Sequence, residues 1–352
     1  MTTMVNDPLG ARAPAVQTVA RERLDDLHQF RGLAILLILA THCVSFFDWD
    51  QHPLQAELAR RTTANTTLLF VFIGGYLFDH LSRDRFDARD YWLKKLRFVA
   101  FPYLVISTPA LGMALSGRLR PDFPQGFSDW PLWRQLVEML GTGVHLVPFW
   151  FIPGILLLYL VAPLIRWAFQ DRRAFVVMPL LLVLSLVIDR GTFQPWKAAL
   201  HFMPIWVLGM AACRFRAQVC SWLAWSWPLF WLAAAVAMLA ELAWMPGTHS
   251  PLSTLGKLML AFALLHLVGQ FKGAPAHLLE LLGDVSFGLF FVHSYVITAG
   301  KLAWARFVGA PPQGNGLLLL LAIGLFTLFS YVLVHALIRL VGRNRSRMIV
   351  GV

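Results

Sequence analysis

Charged residues are scarce in this chain, and so are cysteines. Only 14% of the 352 residues are charged, and there are three cysteines, Cys43, Cys213 and Cys220. Such a low charge content excludes an ordinary water-soluble domain, in which about a quarter of the residues are charged. The number and spacing of the cysteines exclude a disulfide framework and a cysteine-based zinc site. Segments of alternating polarity, as in a membrane β-barrel, are also lacking.

Long apolar runs are abundant instead. Hydrophobic residues make up 58% of the chain, and the runs have the length that a helix needs to cross a bilayer. The predicted spans are 32–47, 65–81, 98–115, 149–166, 174–189, 199–213, 227–244, 254–270, 284–300 and 317–339. The expected fold is therefore all-α, a polytopic membrane helix bundle with about ten transmembrane helices.

The net charge of +11 is explained by membrane topology. With both termini in the cytoplasm, 20 of the 30 Lys and Arg residues fall in cytoplasmic segments, as the positive-inside pattern requires. We therefore expect membrane lipids as partners and no nucleic acid. Residues 1–23 are predicted to be a flexible cytoplasmic tail, 24–342 the transmembrane domain, and 343–352 a basic cytoplasmic tail.

An arginine and a histidine share one face of the first span. Arg31 lies at its cytoplasmic end and His42 eleven positions later, which is close to three helical turns and about 16 Å along the axis. His42 is thus expected near the middle of the membrane, where an unpaired imidazole is unfavourable. The residues alone fit two interpretations equally well: a functional pair, or a snorkelling arginine with a hydrogen-bonded structural histidine.

Five segments, in one order along the chain, carry a resemblance to a known family. They are RGLAILLILATH (31–42), LLFVFIGGYLF (68–78), YWLKKLRFVAFPYL (91–104), VPFWFIPGILLLYLVAPLI (147–165) and LGDVSFGLFFVHSYVI (282–297). The first has ten residues between its arginine and its histidine, and the second has Gly74 where a serine is usual. Together they resemble the membrane acyltransferase 3 family, acyl-CoA-dependent O-acyltransferases of bacterial type.

The resemblance implies a reaction and a location. An acyl group, most often acetyl, would pass from cytosolic acyl-CoA to a hydroxyl of a cell-envelope glycan, glycolipid or related acceptor, in the bacterial cytoplasmic (inner) membrane. Acetyl-CoA would be a substrate, with no permanently bound cofactor and no metal, and the oligomeric state is not predicted. One alternative is a transporter or flippase of an envelope glycan intermediate, with His42 as a proton relay. A weaker alternative is a non-catalytic membrane sensor.

His42 and Arg31 are the catalytic candidates. An imidazole with a pKa near neutrality can take the proton of an attacking hydroxyl, so His42 is a candidate general base. It could instead carry the acyl group covalently. Arg31 would bind a CoA phosphate or orient the thioester, because a guanidinium stays charged and offers two parallel donors.

Two further sets of residues are binding candidates. The candidates for acyl-CoA binding are Arg89, Lys94, Lys95 and Arg97, although basic residues in an inner loop also follow from topology alone. The candidates for acceptor binding are Tyr76, His145, Trp150, Ser286 and His293. Ser286 and His293 are seven residues apart and share a helix face, where they could equally hold neighbouring helices together.

Overall fold

The protein is a bundle of α-helices. The computed structural model describes residues 14–244 and 250–352, and this part contains no β-strand. The helices are α1 (Pro14–Val44), α2 (Pro53–Thr63), α3 (Thr67–Ser82), α4 (Ala88–Lys95), α5 (Phe101–Leu115), α6 (Leu132–Thr142), α7 (Phe151–Ala168), α8 (Met178–Val187), α9 (Pro195–Arg214), α10 (Arg216–Trp244), α11 (Pro251–Val268), α12 (Ala274–Asp284), α13 (Ser286–Phe307), α14 (Gly316–Val341) and α15 (Arg343–Ile349). The predicted all-α polytopic bundle is confirmed.

Every predicted span coincides with a helix. Among the described residues, seven helical segments are long and apolar enough to cross a membrane: Asp25–Val44, Ala88–Leu115, Val147–Ala168, Pro195–Arg214, Arg216–Trp244, Pro251–Val268 and Gly316–Val341. Helices α12 and α13, bent by 80° at their junction, give an eighth if the pair is counted as one span. The predicted spans 65–81 and 174–189 fall on α3 and α8, which have only 16 and 10 residues.

The two predicted tails contain helix. Residues 1–13 of the first lie outside the described residues, and the backbone of residues 14–23 already belongs to α1. At the other end α15 folds back onto the bundle, where Val350 is buried and Val352 packs beside Gly288 of α13. Basic composition does not distinguish an exposed tail from a helix on the protein surface, so the sequence predicted a tail where the structure has α15.

Helices α3 and α9 pack with their backbones in contact. A Cβ atom at Gly75 would overlap the backbone carbonyl of Trp206, and one at Gly209 would overlap that of Phe72. Small residues allow this close approach between membrane helices. The Trp206 ring is fully buried above the contact, next to Gly74, so the glycine pair of the second predicted span serves helix packing.

Helices α1 and α12 are joined in the same way. A Cβ atom at Gly32 would overlap the carbonyl of Leu279, and one at Gly283 would overlap the carbonyl of His28. Only Val285 separates α12 from α13. This contact therefore fixes where α13 begins relative to Arg31, the neighbour of Gly32 in the sequence.

Buried carboxylates have ionic partners. Asp79 is 2% exposed and accepts hydrogen bonds from Arg83 at 2.7 Å and Arg214 at 2.5 Å. Glu241, also 2% exposed, lies 3.0 Å from Arg61. Pairing of this kind compensates for the removal of charges from water, so we assign both groups to the scaffold.

Candidate active site

Helices α1 and α13 bring four of the predicted site residues together. The Nη2 atom of Arg31 donates a hydrogen bond to Oγ of Ser286 at 2.9 Å. The rings of His42 and His293 lie 5.1 Å apart between centroids. Because the contacts occur in the same order along both helices, α1 and α13 run in the same direction. We call Arg31, His42, Ser286 and His293 the α1–α13 site.

His42 lies near the end of its helix rather than near its middle. It belongs to the last turn of α1, which ends at Val44, whereas the sequence predicted a helix extending to residue 47 and a histidine near the middle of the membrane. The side chain is partly exposed. The two members of the predicted catalytic pair thus lie toward opposite ends of the span.

His293 is fully buried, and one of its two ring nitrogens has no hydrogen-bond partner among the described residues. Its Nδ1 atom lies 2.9 Å from the carbonyl oxygen of Leu289, in the preceding turn. A carbonyl only accepts hydrogen bonds, so Nδ1 carries the hydrogen and Nε2 of the neutral ring has a lone pair. That Nε2 atom has no hydrogen-bond partner among the described residues. Buried polar atoms are normally paired, which favours a functional role for this nitrogen.

Further cations lie near Arg31, at the end of the α1–α13 site away from His42. The charges of Asp284 and Arg347 act on Arg31, and those of Arg31 and Arg347 act on Lys95. Arg347 belongs to α15 and is exposed, with its guanidinium 4.6 Å from the ring of Phe98. Its position depends on the fold-back of residues 343–352, which the sequence did not predict. We call Arg31, Lys95 and Arg347 the basic cluster.

Of the four candidates for acyl-CoA binding, only Lys95 has a side chain that points into the helix bundle. Its ammonium group lies 4.1 Å from the centroid of the Tyr159 ring, and a π-helical turn, Leu96–Ala100, follows directly. Such turns are frequent at functional sites. Arg89, Lys94 and Arg97 are exposed, and Lys94 pairs with Asp90 at 2.7 Å. Arg97 lies 5.5 Å from the centroid of the Phe98 ring that Arg347 also contacts, so it borders the basic cluster.

Aromatic residues beside Lys95 also contain unpaired polar atoms. The rings of Tyr91 and Trp206 lie 6.3 Å and 5.5 Å from that of Tyr159. The hydroxyl of Tyr91 and Nε1 of Trp206 are buried, and neither has a hydrogen-bond partner in the part of the chain that is described. Sequence reasoning missed all three rings; the spacing of four between Tyr91 and Lys95 was the available signal.

His145 does not have the geometry of an acceptor-binding residue. It is 4% exposed, and its ring nitrogens lie 2.8 Å from the carbonyl of Met139 and 2.8 Å from Oγ of Ser107. Burial lowers the pKa of His145 to about 4. Both nitrogens of His145 are engaged inside the protein, so its role as an acceptor ligand stays a prediction that this geometry does not support.

The predicted acceptor residues Tyr76 and Trp150 are likewise buried, each 5% exposed. Tyr76 faces the close α3–α9 contact, where its backbone N–H lies beside Gly209. The Trp150 ring stacks on Phe202, and the guanidinium of Arg190 lies 4.4 Å from its centroid. Trp150 therefore belongs to the protein interior rather than to an aromatic belt facing lipid.

Comparison with known proteins assigns the chain to a family. Within residues 14–244 and 250–352, no three His, Cys, Asp or Glu side chains are grouped as a metal site would require. Searches among curated proteins and among solved structures find no match. A family model described as an acyltransferase domain matches residues 24–335, a range that contains the whole α1–α13 site. The chain therefore belongs to the acyltransferase 3 family and is a multi-pass membrane acyltransferase.

Proposed function

We propose that the protein transfers an acetyl group from cytosolic acetyl-CoA to a hydroxyl of a cell-envelope glycan or glycolipid, in the bacterial cytoplasmic membrane. The observation that carries the proposal is the α1–α13 site, in which the Arg31 and His42 of the family signature each contact a polar residue of one other helix. This arrangement places cations at one end of α1 and an imidazole pair at the other. The arrangement fits a donor that carries several phosphate groups at one end and a reactive thioester at the other.

The basic cluster is the proposed binding site for the phosphates of acetyl-CoA. Phosphate groups are bound by guanidinium and ammonium groups through charge-assisted hydrogen bonds, and Arg31, Lys95 and Arg347 come from three different helical segments. The rings of Tyr91, Tyr159 and Trp206 provide an adjoining aromatic surface with two unpaired polar atoms. The thioester arm would extend along α1 and α13 over the roughly 16 Å between Arg31 and His42.

His42 would carry the chemical step. The acceptor oxygen attacks the thioester carbonyl carbon, a C–O bond forms and the C–S bond breaks. His42 takes the hydroxyl proton as general base and returns it to the departing thiolate, so that CoA leaves as the thiol. In the covalent variant a nitrogen of His42 attacks first and CoA leaves, and the hydroxyl then attacks the acyl-imidazole. His293, whose Nε2 has no partner among described residues, would orient His42 in either route.

The test uses purified protein, acetyl-CoA labelled in the acetyl group, and an envelope extract as the source of acceptor. We expect label to appear in extract components and to disappear with His42→Ala. The matched control is His266→Ala, because His266 is also a partly exposed histidine in a spanning helix, stacked on Trp227. Undiminished transfer by the His42 variant would remove this histidine from the chemistry, and absence of transfer by the wild type would remove the proposed reaction.

Two further measurements separate the alternatives. Label that stays on the denatured protein after incubation without extract indicates the acyl-histidine route, and its absence indicates general-base catalysis. A transporter or flippase would instead move an envelope glycan across proteoliposomes without taking label from acetyl-CoA.

A further inference from the structure

The charges that act on His42 are all positive. Besides the ring of His293, the groups whose charge reaches His42 are Arg120, Arg190 and Lys301. They come from three separate parts of the chain: the segment between α5 and α6, the segment between α8 and α9, and α13. Since Arg31 lies about 16 Å away along α1, this set is distinct from the basic cluster.

Two of the three cations, Lys301 and Arg120, have hydrogen-bond donors left for further contacts. Lys301 donates to Oγ of Ser45 at 3.0 Å, and Ser45 in turn donates to the carbonyl of His42 at 2.7 Å. The Lys301 side chain is partly exposed, so the other hydrogens of its ammonium group can reach a ligand. Through Ser45, Lys301 is connected to the same residue whose ring is proposed to act on the acceptor.

The two arginines are each held in place by neighbouring side chains. Arg120 pairs with Asp122 at 2.5 Å, while its buried Nη1 atom has no hydrogen-bond partner within the described residues. Arg190 lies over the ring of Trp150 and donates to Oγ1 of Thr192 at 3.2 Å. Burial lowers the pKa of Arg190 to about 10 and also lowers that of Arg120, yet both stay protonated at neutral pH.

Two carboxylates lie near these cations. Asp122 is paired with Arg120 and offsets its charge, and Asp189 accepts hydrogen bonds from the backbone of Gly191 and from Lys197. Neither of these carboxylates is among the groups whose charge acts on His42. With Asp122 counted, Arg120, Arg190 and Lys301 keep a net positive charge, which attracts an anion.

We propose that the acceptor is anionic: it carries a phosphate or carboxylate group close to the hydroxyl that is acylated, and Arg120, Arg190 and Lys301 bind this group beside His42. The inference rests on the proposed function and specifies its substrate class. The bound anion positions the hydroxyl on the side of His42 away from the basic cluster. A neutral sugar lacks this contact and is acylated poorly.

The experiment separates labelled products by charge. After incubation with labelled acetyl-CoA and envelope extract, the donor is adsorbed on charcoal and free acetate is evaporated from acid. The remaining products are then applied to an anion exchanger at neutral pH. We expect the label to be retained by the exchanger. Label in the unretained, neutral fraction overturns the anionic acceptor while leaving the acetyltransferase intact, whereas no labelled product at all overturns the proposed function as well.

Charge reversal tests the residues themselves. Lys301→Glu is expected to raise the KM for the retained acceptor fraction roughly ten-fold, as loss of one charge-assisted hydrogen bond predicts. Arg306→Glu is the matched control, since Arg306 is an exposed cation in the last turn of the same helix. Equal KM values for the two variants would overturn the assignment. Partition of the labelled product between chloroform–methanol and water then distinguishes an anionic lipid-linked acceptor from a water-soluble one.

Discussion

The rings of His42 and His293 face each other at 5.1 Å between centroids, one on α1 and one on α13. His293→Phe keeps an aromatic ring and removes both ring nitrogens: Nε2, which has no partner among the described residues, and Nδ1, which donates to the carbonyl of Leu289. Because the gain from removing an unsatisfied polar atom offsets the loss of one hydrogen bond of about 1 kcal/mol, we expect the thermal midpoint in detergent to stay close to the wild-type value. We expect acetyl transfer to fall by about ten-fold or more, within the range for groups that assist proton transfer. A variant with wild-type activity would make His293 a packing residue.

Lys95 and Lys94 form a natural pair for testing the donor site. Lys95 lies against Tyr159 near Arg31, whereas Lys94 is exposed and paired with Asp90. Lys95→Ala should raise the KM for acetyl-CoA roughly ten-fold through the loss of a charged hydrogen-bond donor. Lys94→Ala should leave this KM at the wild-type value. Similar KM values for the two variants would show that only the overall charge of the segment matters.

Arg347 should contribute to donor binding in a salt-dependent way. It is exposed beside Phe98, and interactions of exposed charges are screened over about 10 Å at 0.1 M salt. Arg347→Ala is therefore expected to raise the KM for acetyl-CoA several-fold at low ionic strength, and much less in 0.5 M salt. Arg343→Ala, at the start of the same helix, is the control. A difference that persists unchanged at high salt would contradict a screened contact.

The α3–α9 contact should not tolerate a methyl group. Gly75→Ala would drive its Cβ into the backbone carbonyl of Trp206, and overpacking of this kind destabilises by about 1–3 kcal/mol. Gly324→Ala, in a helix position with open space around it, is expected to keep or raise stability. Thermal unfolding in detergent measures both. Equal thermal midpoints for the two variants would show that the α3–α9 contact is looser than described.

His145 should make stability depend on pH. Its pKa of about 4 in the folded protein lies below the usual 6.5, so the neutral ring is favoured by folding. Above pH 6.5 the stabilisation is fully present. It declines as the pH falls from 6.5 toward 4, because the unfolded chain binds a proton that the folded chain excludes.

Between pH 6.5 and pH 4 the free energy of unfolding falls by roughly 3 kcal/mol because of His145, for a pKa shift of this size. His145→Gln should therefore flatten the fall in thermal midpoint between pH 7 and pH 5, while transfer by the folded enzyme at pH 7 is retained. An identical slope in the variant and the wild type would assign the pH dependence to other groups.

Hydropathy and helical periodicity were enough to locate the long apolar helices and to place each half of the α1–α13 site on one helix face. In lipid the backbone must satisfy its own hydrogen bonds, so each apolar run coincides with a helix. The spacings from Arg31 to His42 and from Ser286 to His293 are near whole turns. Each pair therefore lies on one face, although only the fold shows that the two faces meet.

Other parts of the site depend on information that composition does not carry. Lys94 and Lys95 are equivalent in a charge pattern, yet adjacent helix residues point about 100° apart, and only Lys95 faces Tyr159. Arg347 looked like one more residue of a basic tail. The sequence around His145 also does not show that the carbonyl of Met139 and the hydroxyl of Ser107 engage its nitrogens.

The glycine contact between α1 and α12 has a mechanical consequence. With Gly32 and Gly283 each against a backbone carbonyl, no layer of side chains separates the two helices, so they move as one rigid body. Val285 is then a joint between this body and α13. A small rotation at the joint would leave Ser286, the next residue, beside Arg31 and would move His293, seven residues further along α13, away from His42. The reacting end of the site could then open while the donor end stays closed.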